Sequence, residues 1–332
     1  MIIHHPVERS EREIMIKVVL IGCGSISMAH ISAFEKTSGA KIVAVCDISE
    51  EKVNVAIQKT GAQGFSDYKQ MITEINPDLA VITLPHALHC EAVCFCAEHG
   101  TDVFVEKPMG ISSEDCEKMI ECCKKNRVML WVGNLQRYMT ANIIAKQLVD
   151  SGEYGKLISI TEVRNGEYFT ERRPKWFSQK ALSGGGIAMN LGAHALDKMK
   201  YFANGARIKD ICGSIHLPEG SECEDGFSAL VTMDNGVVGT LNIIGYTSAS
   251  EYETVLYLTN GEIRMRLEDN DYVEHCKRGE DFVRTPCENV SAMEVQIAEL
   301  VDRLNNGNRT PVVDGEYGKD IVHAIKRLYS EE

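Results

Sequence analysis

Two side chains in this sequence are of the types, and in the positions, that move protons. Lys107 stands one residue, Glu106, beyond the apolar run Val103-Phe104-Val105 and precedes Pro108; His194 follows Gly184-Gly185-Gly186 at what reads as the start of a helix. Oxidising an alcohol releases a proton as well as a hydride, so the site needs a group that titrates near the working pH. Imidazole does so unaided, and a lysine does so when a nearby cation, such as a bound nicotinamide ring, lowers its pKa. Lysine usually ends in solvent, and a lone histidine is more often structural than catalytic. Here the strand end before Lys107, the proline that restricts its backbone, and the glycines ahead of His194 favour the chemical reading.

A third feature supplies a place for the oxidant. Val18-Val19-Leu20-Ile21-Gly22-Cys23-Gly24-Ser25-Ile26-Ser27 runs from an apolar strand through a glycine turn into a helix. Gly22 permits the tight turn, and Gly24 leaves room for backbone to approach a pyrophosphate, whose charge the helix N-terminus stabilises. Ser27 stands where a third glycine is usual and is small enough for close helix–strand packing. Asp47 ends the second strand a little over 20 residues after Gly24, where an acid binds the adenosine ribose hydroxyls. A carboxylate there repels a 2′-phosphate, which favours NAD over NADP.

These residues need a scaffold, and the chain alternates accordingly. Short strands that are apolar throughout (Lys17–Ile21, Lys41–Cys46, Asp78–Thr83, Asp102–Val105, Val128–Val132) alternate with helices near Ile26–Lys36, Ser49–Thr60, Asp67–Ile75, Ala87–His99 and Ser112–Lys125. Such strands belong in a parallel sheet covered on both faces, a doubly wound α/β Rossmann domain. After about Asn134 and a helix at Thr140–Ser151, the pattern turns to period-two strands: Leu157–Val163, Phe227–Met233, Val237–Ile244, Thr254–Leu258 and Glu262–Leu267. Asp234-Asn235-Gly236 and Asn260-Gly261 read as hairpin turns between them. Helices Met293–Asn305 and Gly318–Tyr329 close the chain. The expected division is an extension at 1–14, a Rossmann domain at 15–134, and an α+β substrate-binding and oligomerisation domain at 135–332 with a large, mainly antiparallel sheet.

Composition narrows the partners. With 332 residues the chain can hold two cores. A formal charge of −13 argues against a nucleic-acid backbone as partner. No run approaches the ~20 apolar residues of a membrane span, and Met1–Glu13 lacks the apolar stretch of a signal peptide, so a cytoplasmic location is expected. The 12 cysteines lack the spaced pairs of a zinc site. Several (Cys46, Cys94, Cys96, Cys122, Cys123) sit in apolar runs, as reduced buried thiols do, and no metal is expected.

The combination of motifs resembles the glucose–fructose oxidoreductase, inositol dehydrogenase and rhizopine-catabolism (Gfo/Idh/MocA) family. The resemblance rests on Gly22-Cys23-Gly24, Thr83-Leu84-Pro85 with His89 four residues beyond, and Glu106-Lys107-Pro108. Gln136-Arg137-Tyr138 and Gly184-Gly185-Gly186 followed by Asn190-Leu191-Gly192-Ala193-His194-Ala195-Leu196-Asp197 complete it. It runs from about Ile16 to the C-terminus. It implies hydride transfer between a sugar, cyclitol or related secondary alcohol and nicotinamide, with Lys107 at the substrate oxygen and His194 in acid–base work. It also implies a cofactor site built from Gly22, Cys23, Gly24, Ser25, Ile26, Asp47, Thr83, Leu84, Pro85, His86, His89, Glu106 and Lys107. A cis peptide before Pro108 and an open-faced sheet that forms homodimers or homotetramers follow from the same resemblance. One departure matters. Asn190 stands four residues before His194, where many members carry an aspartate, so it can orient the imidazole through its amide oxygen but adds no charge. Asp197 is an alternative partner.

For the substrate, Arg137 and Tyr138 lie at the domain junction. The stretch Asn165–Ser183 adds Glu167, Tyr168, Arg172, Arg173, Lys175, Trp176 and Gln179, groups that stack on sugar faces and fix hydroxyls or an anionic group. Tyr168, Trp176, Asn190 and His194 complete the expected substrate contacts. Two other functions fit the same residues: an NAD-dependent glycosidase using transient oxidation and elimination, and a non-catalytic dinucleotide-binding sensor.

Overall fold

The structure, a computed structural model, describes residues 15–171, 173–266 and 272–330. The expected extension at 1–14, Arg172 and Leu267 lie outside the described residues.

The N-terminal half follows the order β1 (Ile16–Ile21), α1 (Ser25–Glu35), β2 (Ala40–Cys46), α2 (Glu50–Thr60), β3 (Gln63–Phe65), α3 (Tyr68–Ile75), β4 (Leu79–Ile82), α4 (His89–Glu98), β5 (Asp102–Val105), α5 (Ser113–Asn126) and β6 (Leu130–Val132). The six strands are all parallel, in the order β3-β2-β1-β4-β5-β6. That order reverses between β1 and β4, which opens a crevice at their carboxyl ends. Both faces of the sheet are covered, and Val18, Val81 and Phe104 are wholly buried beside Trp131. Helix starts follow local chemistry: Ser49, Asp67 and Ser112 each accept a first-turn N–H as N-caps of α2, α3 and α5. Strand β3 is too short, at three residues, to have carried a sequence signal.

The second half follows as α6 (Thr140–Asp150), β7 (Leu157–Glu167), α7 (Lys180–Ser183), α8 (Ala193–Phe202), β8 (Ile208–His216), β9 (Gly226–Met233), β10 (Val238–Ile244), β11 (Tyr246–Leu258), β12 (Gly261–Arg266), β13 (Tyr272–Lys277) and β14 (Val283–Pro286). Helices α9 (Ala292–Asn305) and α10 (Gly315–Leu328) come last. The eight strands form one sheet in the order β14-β13-β12-β11-β7-β10-β9-β8, antiparallel except for β7 with β10. Its inner face packs on α8 and α10 through Ile160, Val231, Leu241, Met199 and Ile325.

The sequential division at 134/135 needs one correction. Met293, Ile297, Leu300 and Val301 of α9 bury into the N-terminal core beside α1, and Val322 of α10 joins the core under β5 and β6. Both closing helices carry apolar faces that the second sheet alone does not cover, so they tie the halves together. Eight of the 12 cysteines are buried. Among the described residues no helix is long and apolar enough to cross a membrane.

Candidate active site

The glycine turn leads from β1 into α1 at the crevice. Gly22 has φ +98°, and a Cβ there would press on the Thr83 carbonyl oxygen at 2.8 Å. Glycine is therefore required by the fold itself. Gly24 differs: it is the N-cap of α1 in an extended conformation, and a Cβ built there meets nothing within 4 Å. No side-chain cap satisfies the first N–H groups of this helix, which leaves them suited to a phosphate. Ser27 is buried and donates to the Gly24 carbonyl at 2.5 Å, closing the turn. Asp47 sits beside the same turn, accepting from Cys23 N at 2.8 Å and from Ser49 N at 2.9 Å. The uncapped start of α1 and the Asp47 carboxylate are thus adjacent, an arrangement whose residues fit a dinucleotide.

Lys107 lies two residues beyond β5 and makes a cis peptide to Pro108. Its Nζ donates to Asn190 Oδ1 at 2.5 Å. Burial, with Arg164 and Arg173 adding to it and Glu106 opposing it, lowers the ammonium pKa from 10.5 to about 8. The neighbouring Glu106 is held by His30 of α1, whose Nε2 lies 2.8 Å from Glu106 Oε1, and by the Lys107 N–H at 3.1 Å. Despite the upward push of burial, these partners keep Glu106 below the usual carboxylate range.

His194 lies in the first turn of α8, after a π-helical turn at Ala188–Gly192. Glu224 builds that turn by accepting from Gly186 N at 2.8 Å and Ala188 N at 2.9 Å, and Tyr329 donates to it at 2.7 Å. Any Cβ at position 186 would overlap the Glu224 carbonyl oxygen, which is why glycine stands there. Burial, then the charges of Lys107, Arg164 and Lys198, hold the imidazole well below the usual histidine value. The Nδ1 edge faces Gln136 Nε2 at 3.4 Å.

These groups surround one cavity of about 270 Å³. Ile26, Thr83, Leu84, Glu106 and Lys107 line it from the N-terminal half, and Asn190, His194, Trp176 and Phe177 from the C-terminal half. Trp176 stacks on Phe177 with centroids 3.8 Å apart and meets His86 edge-on at 4.8 Å. His86 is anchored through Nδ1 to the Ser183 carbonyl at 2.8 Å.

Two domain profiles of one family match this chain. An "Oxidoreductase family, NAD-binding Rossmann fold" profile covers residues 16–134, and a "GFO/IDH/MocA C-terminal domain" profile covers 143–264. The chain belongs to the Gfo/Idh/MocA oxidoreductase family. Its N-terminal half is that family's NAD-binding Rossmann domain.

Within the family, the chain is 27% identical to a 2,7-anhydro-N-acetylneuraminate hydratase of Mediterraneibacter gnavus, over 56% of this chain and 49% of that protein. It is 30% identical to the inositol 2-dehydrogenase of Salmonella typhimurium, over 44% of each. The chain spans about half the length of the first curated relatives it matches. A levoglucosan dehydrogenase solved with NADH and L-sorbose shares the fold, with TM-score 0.86, 17% identity and 96% of each chain covered.

Against this Gfo/Idh/MocA frame, several residues assigned from sequence fall outside the cavity. Arg137 turns into the C-terminal domain, 3.6 Å from Asp197 and over the rings of Tyr317 and Tyr201. Tyr138 is buried and donates to Glu299 at 2.9 Å. Tyr168 is also buried, its ring under the Arg173 guanidinium at 4.0 Å and its hydroxyl 3.5 Å from the Gly186 carbonyl oxygen. Tyr138 and Tyr168 each place a buried hydroxyl on a partner inside the protein, whereas the buried Nε and Nη2 of Arg137 have no hydrogen-bond partner among the described residues and the guanidinium faces Asp197 only as an ion pair. His89 bridges Leu84 O at 2.9 Å and Pro108 O at 3.1 Å, so it holds two cofactor-side loops in place from behind. Glu167, Lys175 and Gln179 are exposed.

Asn190 does not orient His194, because its amide oxygen is taken by the charged Lys107, a stronger donor than imidazole N–H. Asp197 pairs with Arg137 and Tyr317, away from the imidazole. Sequence reasoning missed His30, Gln136, Phe177 and Glu224 as site builders. Two carried a signal: Gln136 opens the Gln136-Arg137-Tyr138 motif, and His30 falls at i+3 in the inward-facing set Ser27, His30, Ile31, Phe34 of α1.

Proposed function

We propose that this protein is an NAD-dependent dehydrogenase acting on a secondary alcohol of a sugar, sugar derivative or cyclitol. The observation that carries this reading is the convergence on one cavity of Lys107, Asn190 and His194 with Ile26 in the first turn of α1, just after the glycine turn. The free N–H groups at the start of α1, with Gly24, Ser25 and Ile26, would hold the pyrophosphate, and Asp47 the ribose hydroxyls. Thr83, Leu84 and Glu106 would border the nicotinamide end. Bound NAD supplies the hydride acceptor.

The chain's own residues handle the rest. Lys107, with its pKa lowered to about 8, takes the hydroxyl proton when neutral and returns it when charged. Asn190 aims its Nζ. Trp176 and Phe177 cover the cavity, exclude water and give a flat apolar face to a sugar ring. The carboxylate of Asp47 disfavours a 2′-phosphate, so NAD is preferred over NADP. The relatives named for inositol and levoglucosan support a polyhydroxylated substrate.

The outer face of the second sheet exposes Leu230, Val238 and Tyr257. Thr161 and Thr240 are hydrogen-bonded to each other at 2.9 Å on the same sheet. This face suits a second copy of the chain.

A second reading is favoured by the hydratase relative, whose name denotes no net oxidation: a redox-neutral reaction on a glycosidic substrate at the same cavity. Mixing protein, NAD and a panel of cyclitols, anhydrosugars, aldoses and sugar acids separates the two. A dehydrogenase accumulates NADH with at least one alcohol. Product formation with no NADH accumulation would overturn that reading in favour of the redox-neutral one.

A further inference from the structure

We propose that Gln136 is a positioning residue that holds His194 in the tautomer protonated on Nε2, so that the imidazole meets the substrate oxygen as a hydrogen-bond donor. The assignment follows from a chain of contacts in which each partner leaves the next one choice. Asn142 Nδ2 lies 2.8 Å from the backbone carbonyl oxygen of Gln136. A carbonyl only accepts, so the nitrogen of the Asn142 amide, not its oxygen, is on that side.

The same Asn142 nitrogen lies 3.2 Å from the side-chain oxygen of Gln136. Reversing the Gln136 amide would set two N–H donors against each other. Tyr252 adds a second constraint. Its phenol oxygen accepts from Lys198 Nζ at 2.9 Å, which leaves its own proton to donate to Gln136 Oε1 at 3.5 Å. Lys198 is itself fully committed, with Glu162 Oε2 at 3.0 Å and Thr254 Oγ1 at 2.8 Å taking its other two donors. Two donors therefore converge on Gln136 Oε1, and the amide nitrogen is left facing His194.

That nitrogen can only donate, so His194 Nδ1 presents a lone pair to it. A neutral imidazole with a free Nδ1 carries its proton on Nε2. Nε2 has no hydrogen-bond partner among the described residues, and the ring lines the cavity. The charged groups around the ring favour the neutral form, since Lys107, Arg164 and Lys198 are all cationic. The carboxylates of Glu162 and Asp197 are engaged by Lys198 and by Arg137 with Tyr317.

The role at the substrate rests on the dehydrogenase reading; the tautomer does not. In the oxidative direction the C–H electron pair leaves as hydride to bound NAD, and the O–H proton passes to the neutral amine of Lys107 as the C=O bond forms. His194 donates a hydrogen bond to that oxygen throughout and transfers no proton.

Nitrogen-15 NMR of the full chain labelled at histidine tests this, with the His194 signals identified by their loss in His194→Gln. The expected wild-type spectrum at neutral pH has Nε2 in the protonated position and Nδ1 in the unprotonated one. Gln136→Glu replaces the donor with an acceptor, and the expected result is an Nδ1 shifted to the protonated position. A wild-type Nδ1 that is already protonated overturns the proposal, and this reading does not depend on Gln136→Glu folding. A Gln136→Glu protein that keeps an unprotonated Nδ1 overturns it as well. If the wild-type tautomer is as expected but no alcohol reduces NAD, the inference about Gln136 stands and the dehydrogenase reading falls.

Discussion

The side-chain nitrogen of Lys107 and the amide oxygen of Asn190 are 2.5 Å apart, joining the loop after β5 to the π-helical turn before α8. The bond couples the NAD-binding Rossmann domain to the C-terminal half through a neutral acceptor. A neutral acceptor orients an ammonium while adding little to its stability, which is compatible with the lowered pKa of about 8 at Lys107.

Asn190→Asp should therefore change the pH dependence more than the geometry. Lys107 acts as a base only when neutral, so oxidation by the wild type rises with pH through about 8. A carboxylate at 190 favours the charged form and moves that rise upward by about 1–2 pH units. The pH profile of kcat/KM for the oxidative direction measures it, and an unshifted profile would sink the assignment of Lys107 as the base.

The two glycines of the turn should fail in different ways. Gly24→Val places its side chain in open space in an allowed conformation, so thermal stability is kept while NAD binding weakens by more than about tenfold, or ~1.4 kcal/mol. Gly22→Ala forces a Cβ against Thr83 at positive φ and should cost about 2–4 kcal/mol of folding stability. Calorimetric titration with NAD and chemical denaturation distinguish the outcomes. A destabilised Gly24→Val with normal NAD affinity would remove the pyrophosphate from this turn.

Asp47→Ser removes the charge that faces a 2′-phosphate and keeps a small polar group beside Cys23 N. The ratio of kcat/KM for NADP to that for NAD should rise by at least about tenfold. Initial rates with each cofactor give the ratio; no change would mean that Asp47 serves only the turn with Cys23 and Ser49.

The outer face of the second sheet should lose its partner when charged. Leu230 is 49% exposed in the middle of β9, and Leu230→Asp should shift the mass found by light scattering toward the monomer. A wild-type protein that is already monomeric at micromolar concentration would contradict the docking of a second copy there.

How much of this was legible in the sequence depends on where each partner lies along the chain. The parallel sheet was readable because its main strands are short apolar runs followed by capped helices, such as β2 with Ser49. The second sheet was half readable. Hairpin turns at Asn235-Gly236 and Asn260-Gly261 marked β9 to β12, whereas β8 exposes most of its residues and β13 is mixed in character, so neither shows clean alternation.

In the site, Lys107 and His194 stood out because local signals, a strand end and a glycine run, frame them. Gln136, His30 and Glu224 act on partners 58, 76 and 38 residues away, and nothing local marks such pairings. Arg137 and Tyr138 were misplaced for the converse reason. A position at the domain junction does not fix which way a side chain points, and buried Asp197 and half-buried Glu299 turned them inward.

The central claim, that Lys107 is the proton acceptor in a hydride-transfer site, is tested most directly by Lys107→Ala with the best alcohol from the substrate panel. Rapid mixing measures nicotinamide reduction in a single turnover, and titration calorimetry measures NAD binding on the same preparation. The account predicts NAD affinity close to wild type with hydride transfer slowed by about a thousandfold. Hydride transfer at near the wild-type rate would contradict it.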